Sequence, residues 1–241
     1  MHNDNNRVLS SIILALGLTA AGFFPGYYYY QAKNNNNTVS VKGLAEMNVK
    51  ADLAIWKLKI VTTGNELIPA QQQISAQTTE INNFLQQQGF KPSEINIERI
   101  ETNDLMATPY RGNDANSSRF ILSQTITVKS NNVELVEKSL PKTDSLIAKG
   151  IIFDTSYNDP VSYIFTKLND IKPQMLEQAT LNARKAAAEF AKSSGSNVGK
   201  IRRANQGIFS ILPREQTANS FEAQQIEKTI RVVSTIEYWL E

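Results

Sequence analysis

From residue 8 to residue 30 the chain carries no charged side chain, and Ile12, Ile13, Leu14, Leu16 and Leu18 make the middle of that run strongly apolar. A helix of about 20 such residues spans the hydrocarbon of a bilayer with its backbone groups bonded internally. Arg7 precedes the run, and the four tyrosines at 27–30 close it, where phenol rings lie at headgroup level with their hydroxyls in water. This is the layout of a transmembrane anchor. It divides the rest of the chain into a stub, residues 1–7, a polar connector, residues 31–37, and a domain, residues 38–241. A cleaved signal peptide is the alternative, since Thr19-Ala20-Ala21 offers small residues after a short apolar core. Burial inside a soluble domain fits less well, because Gly17, Gly22, Pro25 and Gly26 weaken a helix in water. One basic residue lies close on either side, Arg7 and Lys33, so orientation follows the signal-like layout, which sends the C-terminal bulk across the membrane. The expected location is the inner membrane, single-pass, with the domain in the periplasm. Cleavage would leave the domain soluble there.

A hydrophobic fraction of 41% over 241 residues is enough to build a core. The formal net charge is +2, with Lys and Arg dispersed, so no footprint for nucleic acid appears. There is no cysteine, which removes disulfides, thiolate metal sites and cysteine nucleophiles together.

Period-two alternation marks strands at Val39, Val41, Gly43, Ala45, Met47 and Val49, and again at Ala54, Trp56, Leu58 and Ile60, with Lys57 and Lys59 on the outer face. A helix is expected next, with Asn65 as its N-cap, Pro69 in its first turn, Ile74, Thr78, Ile81 and Leu85 on its buried stripe and Gly89 at its end. Ile95, Ile97 and Ile100 mark a less regular strand, and residues 108–118 read as a hairpin tip. Phe120, Leu122, Ile126 and Val128 return as a strand, and a second helix runs over residues 132–149, bent or broken at Pro141. Ile151 and Phe153, a turn at Asn158-Asp159-Pro160, and Val161, Tyr163 and Phe165 follow. The longest helix is expected from a cap at Asp170, burying Ile171, Met175, Ala179, Ala183, Ala186 and Phe190 and ending at Gly195. Two strands close the chain, the second carrying Ile230, Val232, Ser234, Ile236, Tyr238 and Leu240 on one face. The predicted class is α+β: a mostly antiparallel or mixed sheet packed by about three helices, preceded by a transmembrane helix.

These segments resemble the SIMPL-domain family, also called DUF541, over nearly all of residues 38–240. The resemblance is carried by Val39-Ser40-Val41-Lys42-Gly43, Ala51-Asp52-Leu53-Ala54, Gly150-Ile151, Asn182-Ala183-Arg184-Lys185-Ala186, Gly195, Gly199 and Ile230-Arg231-Val232-Val233. Many members have proline before the aspartate of the second strand, where this chain has Ala51. The resemblance implies an α+β fold, a periplasmic or envelope location, self-association and a loose link to oxidative-stress tolerance. The family takes its name from a mammalian adaptor that associates with a pelle-like kinase, which implies binding rather than chemistry, and it supplies no catalytic residues.

The chemical inventory agrees with that implication. His2, the only histidine, lies beyond the anchor from the domain, which disfavours serine-hydrolase and histidine-ligated metal sites. Gly195-Ser196-Asn197-Val198-Gly199-Lys200 is one residue short of a phosphate loop, Ile201 replaces its hydroxyl residue and a helix precedes it, so it reads as a helix stop. Glu98 and Glu101 fall on opposite faces of a continuous strand. Asp52, near Glu46 and Lys50, reads as a turn-stabilising acceptor beside a hairpin rather than a cation ligand. Lys200, Arg202 and Arg203 form a small basic cluster without stacked aromatics, and Arg184 and Lys185 lie off the apolar stripe of the long helix. The closing strand either pairs within the sheet or offers an edge to a second copy. No catalytic, cofactor or metal residue is assigned. The expected function is a non-enzymatic, membrane-anchored, homo-oligomeric scaffold or binding protein; the alternatives are an envelope hydrolase or lyase using carboxylates, and a ring- or pore-forming assembly.

Overall fold

The computed structural model describes residues 2–34, 37–107, 118–154, 161–218 and 220–241. The expected turn at 158–160 and the hairpin tip, apart from Ser118, lie outside them. The N-terminal helix α1 (His2–Asn34) is continuous and runs into the expected connector. Its apolar stretch, Ser11–Tyr30, is 20 residues long and 0% buried against protein.

Two compact units follow from the contacts: Met1–Ala45 with Gln174–Ile208 and Val232–Glu241, and Glu46–Pro173 with Phe209–Arg231. Strands β1 (Thr38–Lys50) and β9 (Glu227–Leu240) each contribute residues to both.

The second unit is organised by β2 (Leu53–Gly64) and β5 (Phe120–Ser130), antiparallel from Ala54 opposite Ser130 to Gly64 opposite Phe120. Their shared parity brings Trp56, Leu58, Ile60, Leu122, Ile126 and Val128 to one buried face. Helix α2 (Leu67–Gln88) fills that cluster with Ile74, Ile81 and Leu85, and ends at Gly89 with φ 103°, the left-handed conformation that only glycine adopts cheaply. Truncating one such isoleucine or leucine to alanine costs about 2–5 kcal/mol. Its N-cap is Glu66 rather than Asn65, because the Asn65 side chain instead accepts a hydrogen bond from Arg119 N (3.1 Å). Short strands β3 (Ile95–Ile97) and β4 (Glu101–Asp104) pair with β5 in succession. Helix α3 (Val133–Ser139), capped by the Asn132 side chain, gives way at Pro141 to a 3-10 turn and then α4 (Asp144–Ile147). Strand β6 (Val161–Ile164) completes the sheet beside β2.

Helix α5 (Leu168–Ser193) starts two residues before the expected cap, so Pro173 lies within it. Its buried stripe is Met175, Ala179, Ala183, Ala187 and Ala191, while Phe190 is 63% exposed. The spacing stays at four residues throughout, so Ala187 rather than Ala186 continues the stripe.

The remaining sheet runs β1, β9, then β7 (Val198–Gln206), with β8 (Ser210–Pro213) also on β9. Contacts of Thr38 with Glu237, Glu46 with Arg231 and Asn48 with Thr229 show that β1 and β9 run antiparallel. Since β1 occupies one side of β9 and β7 and β8 the other, β9 pairs on both flanks and offers no free edge. Beside the alanine stripe Gly43 allows β1 and α5 to meet closely, and Asn182 Nδ2 donates to Leu44 O at 2.8 Å. The fold is thus α+β with antiparallel sheets, as the alternation patterns require.

Candidate functional site

Within the second unit, α3, β6 and the chain from β8 to β9 surround an open groove of about 910 Å³. The wall made by residues 214–215 and 224–227 is held by four devices. Glu222–Gln224 forms a 3-10 turn. Lys228 follows on β9 with parity that points it into the interior; its side chain is 0% exposed, ion-pairs with the Glu222 carboxylate and donates to the Glu222 carbonyl at 2.5 Å. A buried ammonium needs both charge and hydrogen-bond compensation, and Glu222 supplies both. Gln225 then clamps the facing strand end, accepting from Glu215 N (3.2 Å) and donating to Glu215 O (3.0 Å). Ile226 O accepts from Ala51 N at 2.8 Å.

Leu140, Val161 and Ile226 supply the groove's apolar lining. Its charged lining is Glu137, Glu215, Glu227 and Arg214. Arg214 Nη1 is 3.3 Å from Glu227, and Lys50 bridges Glu227 (3.5 Å) and Glu134 (3.7 Å). Among the described residues Glu137 and Glu215 make no ion pair. Tyr163 also lines the groove with only 6% of its surface exposed, and among the described residues its hydroxyl has no hydrogen-bond partner. Burial, and secondarily the Glu137 charge, raise its pKa above the ordinary phenol value, so it stays protonated. Chemically the groove can accept a cation, donate or accept one phenol hydrogen bond, and cover a short apolar stem.

The residues weighed in the sequence fall elsewhere. Asp52 accepts from Thr166 N (2.7 Å) and Oγ1 (2.9 Å), fastening the start of β2 to the end of β6; β1 and β2 lie in different sheets and form no hairpin. Glu98 accepts from Thr127 (3.1 Å) and Glu101 from Ser123 (3.4 Å), positions of equal parity on β5. They share a face because the strand is interrupted between Ile97 and Glu101. Gly195, φ 72°, ends α5 and Val198 opens β7, so that segment is a helix stop. Arg202 does stack: its guanidinium lies 4.8 Å from the Trp239 ring centre and 2.9 Å from Glu237, correcting the reading of a cluster without aromatics. Arg184 and Lys185 are exposed. His2 lies on α1. None of these lines the groove.

None of the groove's charged residues was singled out in the sequence. One signal was available there: Lys228 shares parity with Ile230 and Val232, so the alternation itself demands a buried lysine and a partner for it. Glu137, Glu215 and Arg214 stand in segments whose approach only the tertiary fold reveals.

A family model described as SIMPL, protein of unknown function (DUF541), matches residues 39–238. No curated protein matches the chain.

Proposed function

The chain belongs to the SIMPL family, and from that premise we propose that it is a membrane-anchored, non-catalytic binding and scaffold protein of the cell envelope, its domain periplasmic and self-associating, contributing to oxidative-stress tolerance. The observation that carries the reading is α1: an apolar span of 20 residues, uncovered by protein, needs a cover other than water, and its length suits a bilayer. For self-association, β7 supplies a sheet edge whose residues 200–206 are all exposed.

A second reading, a carboxylate-dependent hydrolase or lyase, draws on the three carboxylates that line one groove. General acid–base work calls for a carboxyl shielded from water. Glu137 and Glu215 are exposed, and Glu227 is held by Arg214 and Lys50, which favours binding.

The test is a chain tagged at both ends, with the C-terminal tag a reporter active only outside the cytoplasm. An active reporter on a full-length band that stays with carbonate-washed membranes is expected. A soluble band lacking the first tag identifies a cleaved signal and removes the anchor, and a reporter active only in the cytosol overturns the envelope placement. Light scattering on the detergent-solubilised chain tests assembly, and a monomer at tens of micromolar removes it.

A further inference from the structure

We infer that the groove of the second unit binds a linear organic cation, with ammonium or guanidinium groups carried on an apolar methylene stem. The inference names the ligand class for the binding reading above and rests on it. Three observations converge. The first is charge: three carboxylates line the groove against one guanidinium, and that guanidinium is already engaged with Glu227. The nearby ammonium groups are committed as well, Lys228 to Glu222 and Lys50 to Glu134 and Glu227. Glu137 and Glu215 remain as carboxylates without an ion-pair partner among the described residues, and an anion entering here meets repulsion from both.

The second observation is the spacing of that charge. Among the described residues no three acidic or imidazole side chains gather as metal ligands. A hard divalent ion needs several oxygens converging on one point. Carboxylates distributed around an open groove instead match positive charge distributed along a chain.

The third observation is independent of charge. Tyr163 is more than nine-tenths buried, lines the groove and has no hydrogen-bond partner among the described residues. Tyr163 is not among the buried unsatisfied groups of the described residues, so its hydroxyl reaches the groove, where its oxygen can accept from a ligand N–H. Leu140, Val161 and Ile226 cover the methylene stem, as apolar surfaces cover the stems of lysine and arginine.

Two sources share this chemistry, a free polyamine and the basic side chains of an extended peptide. The experiment is calorimetric titration of the full chain in neutral-lipid nanodiscs at physiological salt, with spermidine in one arm and tetralysine in the other. Saturable one-to-one binding in either arm, weakened about tenfold or more by the double variant Glu137→Gln/Glu215→Gln, is the expected result. Tighter spermidine binding assigns the free polyamine, and tighter tetralysine binding assigns the peptide. Both glutamates are exposed, so the variant is expected to fold, checked by an unchanged melting temperature. Tyr163→Phe weakening binding about threefold without altering the stoichiometry marks the hydroxyl contact. No heat in either arm, displacement by equal concentrations of magnesium, or binding untouched by the double variant overturns the proposal. The anchor is judged separately by the tagged chain: an anchored protein that binds neither probe defeats the groove alone, and a cleaved protein that binds one defeats the anchor alone.

Discussion

Gly43 on β1 lies directly against Ala179 on α5: a methyl group at position 43 would overlap the Ala179 carbonyl oxygen and come within 2.8 Å of the Ala183 Cβ. The obstacle is backbone, so no rotamer change relieves it. Gly43→Ala is expected to destabilise the protein by about 3 kcal/mol, the upper part of the range for overpacking. Thermal denaturation of the single variant and of Gly43→Ala/Ala183→Gly checks this. Truncating Ala183 leaves the Ala179 carbonyl in place, so full recovery in the double variant would show that the close approach is not what matters.

Lys228 and Glu222 form a pair in which only the carboxylate reaches water. Lys228→Met removes the ammonium and leaves the Glu222 carboxylate and carbonyl without their shared partner, at an expected cost of about 2–3 kcal/mol. Adding Glu222→Gln is expected to recover part of that loss. Chemical denaturation of the four members of the double-mutant cycle measures the coupling, and a coupling near zero would mean that the pair does not hold the 222–224 turn.

Glu237 has its pKa lowered, first by the hydrogen bond from Thr38 and then by Arg202 and Arg203, with desolvation acting in the opposite direction. A carboxyl with a folded pKa below its unfolded value contributes stability that is complete above the unfolded value and disappears as pH falls through the folded one. Glu237→Gln and Thr38→Val should therefore both flatten the acid side of the stability profile while leaving its slope near neutrality unchanged. Melting temperatures across that range are the measurement, and a slope identical to that of the parent protein would refute the assignment.

Tyr163 and Tyr238 are both raised, each chiefly by burial. For a raised phenol the folded contribution is complete below the unfolded value and is lost as pH rises through the folded one. In an ultraviolet titration of folded protein, each should ionise later than an ordinary phenol. Tyr163→Phe is expected to remove one late step; removal of an early step instead would mean that the hydroxyl is freely solvated.

Strands were the most legible elements of this sequence because half-burial writes a period of two directly into residue order, as Ala54, Trp56, Leu58 and Ile60 show. Helix ends were legible where backbone geometry leaves one choice, at Gly89 and Gly195, and less so at starts, where side chains compete for partners. Asn65 was drawn away by Arg119. Along α5 the small alanines carry too little hydrophobic contrast to fix the phase, so apolar character alone points Phe190 inward although it is exposed. The groove was hidden for a different reason. Its parts come from residues 137–140, 161–163, 214–215 and 224–227, and distances of that kind are set by strand order, which local periodicity does not encode.

Between the last residue of α1, Asn34, and the first of β1, Thr38, only four peptide steps intervene. At about 3.5 Å per step, the leash they form is shorter than half the thickness of a bilayer's hydrocarbon. If α1 stays in lipid, partners already confined to the same membrane find this protein by sideways diffusion in two dimensions, at a high effective concentration. Molecules free in the surrounding fluid must come down to the lipid surface to reach it.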